Sequence, residues 1–177
     1  MEKQALYKTA STIQMVVFDV DGVFTDGRIW INHLGEESKS FHVRDGHGIR
    51  MLMHYGVQVA VLSGRESKAV NARMQELGVT DVMQGHIDKR SAFSELVKSK
   101  KLPSENVAFV GDDIIDVPAM QLAGLSFAVA DAHEWVKSHA DHITQELGGH
   151  GAVREVCELI LDSKGLLTKA LNYNVTP

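Results

Sequence analysis

The strongest constraint on this chain is a set of short, continuous apolar runs that each end in a polar residue. MVVFDV (15–20), VQVAVLS (57–63), NVAFVGD (106–112) and LSFAVAD (125–131) share this form. Runs of this kind suit strands buried on both faces of a parallel sheet. DVMQG (81–85) and HIT (142–144) are weaker strand signals of the same type. Helical patterns lie between them. Asp45 is placed to N-cap a helix carrying Ile49, Leu52 and Met53 on one face, with Gly56 at its end. Residues 66–77 place Ala69, Val70, Met74 and Leu77 at helical spacing before Gly78, and residues 89–99 carry Ala92, Phe93, Leu96 and Val97. Near 116–123, Pro118 fits a first helical turn, and residues 151–164 carry Val153, Val156, Ile160 and Leu161 before Gly165. The alternation predicts an α/β fold with a mainly parallel sheet.

One segment breaks the alternation. RIWIN (28–32) and ESKSFHV (37–43) flank HLGEE, which predicts a β-hairpin inserted after the first strand's acidic loop. A two-stranded hairpin is barely stable alone, so this one is expected to pack on something else. The 177 residues predict one domain, with the hairpin at about 28–43 as an insertion and 166–177 as a tail of weak structure. The hydrophobic fraction of 44% is enough for an ordinary globular core. A net charge of −5 disfavours nucleic acid as a partner, although a bound cation and local Arg and Lys residues can still suit one site to an anion. No run of apolar residues reaches the length of a membrane span or a secretory signal, so a cytoplasmic protein is expected. The single cysteine, Cys157, cannot form an intrachain disulfide.

Ligands of an open parallel sheet bind at the carboxyl ends of its strands. Those ends carry Asp19 and Asp21, then Ser63-Gly64-Arg65, then Gly111-Asp112-Asp113 with Asp116 beyond, while Lys89 opens the helix after 81–85. Any one of these sets alone could be a cap or a turn. Together they hold several acids, a hydroxyl and an amine at element boundaries, which fits phosphoryl transfer. Crowded carboxylates repel each other, and Mg²⁺, which takes oxygen ligands, relieves the conflict. A carboxylate can then attack phosphorus, Ser63 and Lys89 can hold the phosphoryl oxygens, and the second acid can serve the leaving alkoxide. Among the nine histidines, His133, His139 and His142 lie close in sequence, but no HExxH or paired Cys accompanies them, so zinc is not expected. His42 and His47 suit interface or substrate contacts better.

FDVDGVFTDG, VLSGR, Lys89 and GDDIID resemble the four motifs of the haloacid dehalogenase superfamily. The resemblance implies a Rossmann-like three-layer sandwich, Asp19 as nucleophile, and Asp21 as acid/base that also binds metal through its backbone carbonyl. It also implies Ser63 and Lys89 on phosphate, Asp112 as a direct Mg²⁺ ligand, Asp116 acting through water or a neighbouring ligand, and Asp113 as metal shell or support. KSFHVRDGHGI, FAVADAH and GGHGAVREVCELIL extend the match nearly end to end to the 3-deoxy-D-manno-octulosonate 8-phosphate (KDO 8-phosphate) phosphatase family. That resemblance implies a capless enzyme that releases KDO for lipopolysaccharide precursors. It further implies a homotetramer whose hairpins form a central barrel and whose active sites are shared between subunits. For the phosphorylated sugar acid, Arg44, Arg65 and Arg73 are candidate carboxylate partners, with Thr25 and Gly46 as further candidate contacts. The loop Gly148-Gly149-His150-Gly151 either approaches ligand or starts a helix. Two other readings stay open: a phosphatase for a nine-carbon sugar-acid 9-phosphate, and a phospho-accepting receiver domain. Asp21 argues against the receiver, which has no leaving alkoxide to protonate.

Overall fold

The computed structural model describes residues 3–172. Six parallel strands form one sheet: β1 (Met15–Phe18), β4 (Gln58–Leu62), β5 (Asp81–Met83), β6 (Val107–Gly111), β7 (Leu125–Ala128) and β8 (His142–Ile143). Their order is β5-β4-β1-β6-β7-β8, with parallel pairing throughout. The four strong apolar runs are the four inner strands, and β1, β6 and β7 are buried along their whole length. The two weak signals are the edge strands β5 and β8, which are only partly covered. Burial on both faces explains the continuous apolar runs, and loss of cover at the edges fits the shorter, mixed sequences of β5 and β8.

Helices cover both faces. α1 (Lys3–Thr12), α2 (Val43–His54) and α7 (Ala152–Ser163) pack together, and α3 (Lys68–Leu77) packs beside α2. α4 (Lys89–Lys100) and α5 (Val117–Met120) pack together, while α6 (Glu134–Lys137) lies against the 3₁₀ turn Ile114–Asp116. This is the expected three-layer arrangement. Among the described residues no helix is long and apolar enough to cross a membrane.

Four local expectations change. First, α2 begins at Val43 with His42 as its N-cap, so Asp45 lies inside the first turn. Its buried carboxylate accepts a hydrogen bond from the Arg154 N–H at 2.8 Å. Asp45 therefore caps α7, whose own N-cap is Gly151 and has no side chain to offer. Second, the tail expected to be weakly structured holds α8 (Leu167–Asn172), which packs on α7 and buries Ala170; residues 173–177 of that tail lie outside the described residues. Leu166, Leu167 and Ala170, spaced along one helical face, supply the driving force. Third, the hairpin is present but short, pairing only β2 (Trp30–Ile31) with β3 (Glu37–Ser38). The Asn32 side chain accepts from the Leu34 and Glu36 N–H groups, so the turn takes up residues that the sequence pattern assigned to strands. Fourth, α1 was not anticipated; its buried face is only Leu6 and Ala10, a weak periodic signal.

The core runs through the inner strands. Phe109, on β6, is fully buried and meets Phe93 of α4 edge-to-face, with ring centroids 5.9 Å apart. Phe109→Ala should lower unfolding stability by about 3–5 kcal/mol, read as a fall in the urea midpoint; an unchanged midpoint would contradict this packing.

Candidate active site

The site is set by strand register. β1 lies between β4 and β6, with Phe18 paired to Val61 on one side and Val110 on the other. The next residue continues the ladder, its N–H donating to the Val110 carbonyl at 3.0 Å. That residue is Asp19. Asp112 therefore leaves the neighbouring strand one residue beyond the position beside Asp19, and Ser63 leaves β4 in the equivalent place. Lys89 arrives from the opposite layer, fixed at the first position of α4, where the Asp88 side chain caps the helix through the Ser91 N–H.

Asp19, Lys89 and Asp116 are all buried. Lys89 Nζ lies 2.7 Å from Asp19 Oδ1 and 2.5 Å from Asp116 Oδ1. Asp116 Oδ2 accepts the N–H groups of Asp112 and Asp113 at 3.0 and 3.2 Å. Both Asp116 oxygens are thus occupied, and the residue orients Lys89 and the loop. Asp113 Oδ1 accepts the Ile114 N–H in a reciprocal cap with Asp116, which gives it a supporting place. Asp112 differs: its Oδ1 is buried without a hydrogen-bond partner. Gly22, at φ +88°, leaves room for this carboxylate, since a Cβ there would lie 2.0 Å from Asp112 Oδ2.

Carboxylate oxygens of Asp19, Asp112 and Asp116 lie within 4.8 Å of one another. Burial, then the neighbouring Asp116 carboxylate, pushes Asp19 up to about 7, although Lys89 pulls the other way. Burial, then Asp19 and Asp116, pushes Asp112 up to about 8. Burial alone would lower the Lys89 ammonium, but the carboxylates of Asp19 and Asp116 outweigh it and hold the group above its ordinary value. An orphaned carboxylate oxygen, an all-oxygen donor set and unrelieved like-charge repulsion fit Mg²⁺, with Asp19 and Asp112 as the side chains able to hold it.

The remaining candidates divide. Ser63 is buried at its strand end, and its Oγ accepts the Arg65 N–H at 3.2 Å. Arg65 approaches Asp21 Oδ2 at 3.6 Å. Thr25 is buried, with Oγ1 accepting the Gly22 and Gly27 N–H groups, which makes it a stabiliser of the loop after β1. Arg73 pairs with Glu76 at 2.8 Å and packs against Gly46, where a Cβ would lie 2.2 Å from its guanidinium. Those contacts tie Arg73 and Gly46 to the α2–α3 seam and not to the carboxylate cluster. Arg44 lines a separate cleft of about 480 Å³ with Arg154, Glu155 and Glu158. The glycine loop at 148–151 both starts α7 and supports the loop after β1: a Cβ on Gly148 would lie 1.7 Å from the Gly22 carbonyl oxygen, and the Gly149 N–H donates to the Val23 carbonyl. Asp131, not singled out in the sequence, holds this loop by accepting the Gly148 N–H at 2.8 Å. Lys39 and Glu37 of the hairpin were also missed. Lys39 pairs with Asp21, and nothing in their spacing announces the contact.

Without metal, the folded state keeps protons on Asp19 and Asp112 that the unfolded chain releases above about pH 4. Stability of metal-free protein should therefore fall as pH rises from about 4 to about 8. Mg²⁺ at a hundredfold excess over its Kd should flatten that slope and raise the Tm at neutral pH by about 5–10 °C. Asp112→Asn should remove the Mg²⁺ response. Thermal unfolding with Mg²⁺ and with chelator checks both, and identical slopes would contradict the assignment.

Comparison with known proteins agrees with this geometry. Residues 75–155 match the haloacid dehalogenase-like hydrolase model. The chain is 46% identical over 166 residues to the 3-deoxy-D-manno-octulosonate 8-phosphate phosphatase KdsC of Escherichia coli K12, covering 94% of this chain and 88% of that protein. The crystal structure of the Yersinia pestis 3-deoxy-D-manno-octulosonate 8-phosphate phosphatase superposes with a TM-score of 0.91 at 45% identity, covering 92% of this chain and 88% of that one. The Moraxella catarrhalis phosphatase of the same name, solved with magnesium, phosphate and KDO, gives a TM-score of 0.96 at 36% identity over 98% of this chain and 99% of that one. Motif order, strand-end geometry and near full-length identity lead to one assignment: the chain belongs to the 3-deoxy-D-manno-octulosonate 8-phosphate phosphatase family of haloacid dehalogenase-like hydrolases.

Proposed function

We propose that this chain is a Mg²⁺-dependent phosphatase that hydrolyses KDO 8-phosphate to KDO and inorganic phosphate through an aspartyl-phosphate on Asp19. The observation that carries the reading is the near full-length identity to phosphatases of that name. The buried Asp19–Lys89–Asp116 arrangement with the unpartnered Asp112 oxygen supports it.

In the first step an Asp19 carboxylate oxygen attacks phosphorus, the bond from phosphorus to the sugar oxygen breaks, and that oxygen takes a proton from Asp21. In the second step Asp21 takes a proton from water, and the hydroxide attacks the aspartyl-phosphate to free phosphate and restore Asp19. Lys89 offsets the charge gathering on the phosphoryl oxygens, and the Ser63 hydroxyl donates to one of them. Magnesium held by Asp19 and Asp112 would supply further neutralisation of the phosphoryl charge. Asp116 keeps Lys89 aimed at Asp19 while Thr25 keeps the nucleophile loop closed.

We read the chain as one capless catalytic domain. The hairpin exposes Trp30, Ile31 and Leu34, each more than half exposed, which suits burial against other copies in a tetramer with shared active sites. A phosphorylated sugar substrate and one buried, unpaired cysteine suit a cytoplasmic setting.

Purified protein should release phosphate from KDO 8-phosphate with Mg²⁺ and not with chelator, and Asp19→Asn should abolish turnover; surviving turnover would remove Asp19 from the nucleophile role. A higher kcat/KM on a nine-carbon sugar-acid 9-phosphate would reassign the sugar. Native mass spectrometry at micromolar concentration should show a tetramer that Ile31→Glu dissociates, and a wild-type monomer would defeat the assembly.

A further inference from the structure

The hairpin carries a cation onto the acid assigned to the leaving group. Lys39 lies just past β3, and its side chain is only 1% exposed. Its Nζ pairs with Asp21 Oδ1 and lies 3.3 Å from Glu37 Oε1. Glu37 Oε2 accepts from Arg65 Nη2 at 2.6 Å, and Arg65 Nε lies 3.6 Å from Asp21 Oδ2. The four side chains close a ring of alternating charge through Asp21, Lys39, Glu37 and Arg65. A surface lysine normally keeps its ammonium in water. Here it is withdrawn from water onto two carboxylates, one of them two residues from the proposed nucleophile.

We propose that Lys39 is a positioning residue that fixes the Asp21 carboxyl for proton transfer to the leaving oxygen, making docking of the hairpin a condition for fast turnover. The proposal rests on the reading of Asp21 as acid. Lys39 holds Oδ1, which fixes the plane and direction of the carboxyl group while Oδ2 lies 3.6 Å from Arg65 Nε. When the bond from phosphorus to the leaving oxygen breaks, the electron pair stays on that oxygen and a proton from the Asp21 carboxyl moves to it. Asp21 projects from a loop, and its side chain has no helix or strand to hold its rotamer. Placement errors near 1 Å at such a group cost on the order of a hundredfold in rate.

The test compares two phosphate esters in the first turnover. The sugar phosphate leaves as an alkoxide and needs the proton, whereas p-nitrophenyl phosphate leaves as a stabilised phenolate and does not. Lys39→Met should slow first-turnover release of the sugar by on the order of a hundredfold while leaving nitrophenol release and KM within a few-fold. Lys39→Gln, which keeps a hydrogen bond to Asp21, should recover part of the loss and serves if the methionine variant fails to fold. Equal slowing of both esters would make Lys39 a mere staple for the hairpin and overturn the proposal, as would no slowing of either. Asp21→Asn separates the two layers of the argument. If it shows the ester selectivity and Lys39→Met does not, only the role of Lys39 falls. If Asp21→Asn shows no selectivity, the reading of Asp21 falls and takes the proposal with it.

Discussion

The structure turns on the enclosure of one ammonium by carboxylates at the centre of the sheet. Lys89 is almost fully buried and touches Asp19 and Asp116, with Asp112 close by. An isolated buried charge would be far too costly, and breaking such a set by removing one partner is more damaging than never having built it. Three ionised carboxylates against one ammonium would leave negative charge in a low-dielectric pocket, and without metal the pocket answers by keeping protons on Asp19 and Asp112. A dication settles that imbalance, and it also gives the Asp19 carboxyl a reason to remain ionised near neutral pH. Holding the pocket and performing the chemistry are therefore one electrostatic problem with one solution.

Topology makes the enclosure possible. Parallel strands all discharge their polar residues at the same sheet edge, and β1 lies where connections diverge to β4 on one side and β6 on the other. Side chains from distant parts of the chain meet there without any unusual local structure. Much of the remaining polar chemistry serves alignment. Asp88 anchors Lys89 through the cap of α4, Asp116 holds the loop after β6 by two backbone N–H groups, and Asp45 caps α7 from α2.

The parts legible in the sequence are those whose signal is local or repeats with the period of an element. The four inner strands announced themselves because each is buried on both faces, and the acids, Ser63 and Lys89 stood out because strand ends concentrate chemistry. What failed depended on partners far away in sequence. Asp45 has the right residue type for a cap, yet the helix it caps begins more than a hundred residues later. The helix at 167–172 is short and gains its stability from packing on α7, which a local pattern does not register. Arg73 pairs with Glu76 one turn on, and its packing against Gly46 of α2 is a contact that its own helix spacing does not reveal. Lys39 sits in an insertion with no periodic frame, so its contact with Asp21 could only come from the folded chain.

The approach of Gly148 to the carbonyl of Gly22 has a consequence for the order in which this molecule becomes an enzyme. During synthesis the loop after β1 leaves the ribosome early, while β6, with Asp112 behind it, and the glycine loop that backs Gly22 emerge much later. The early sheet can gather around β1 and β4, but the catalytic turn has nothing behind it until the last third of the chain folds down. Competence is therefore acquired at the end of assembly, and a nascent chain carrying Asp19 has no functioning pocket in which to spend substrate. Damage to the distal loop would accordingly show itself as an intact scaffold with the loop around Gly22 out of place.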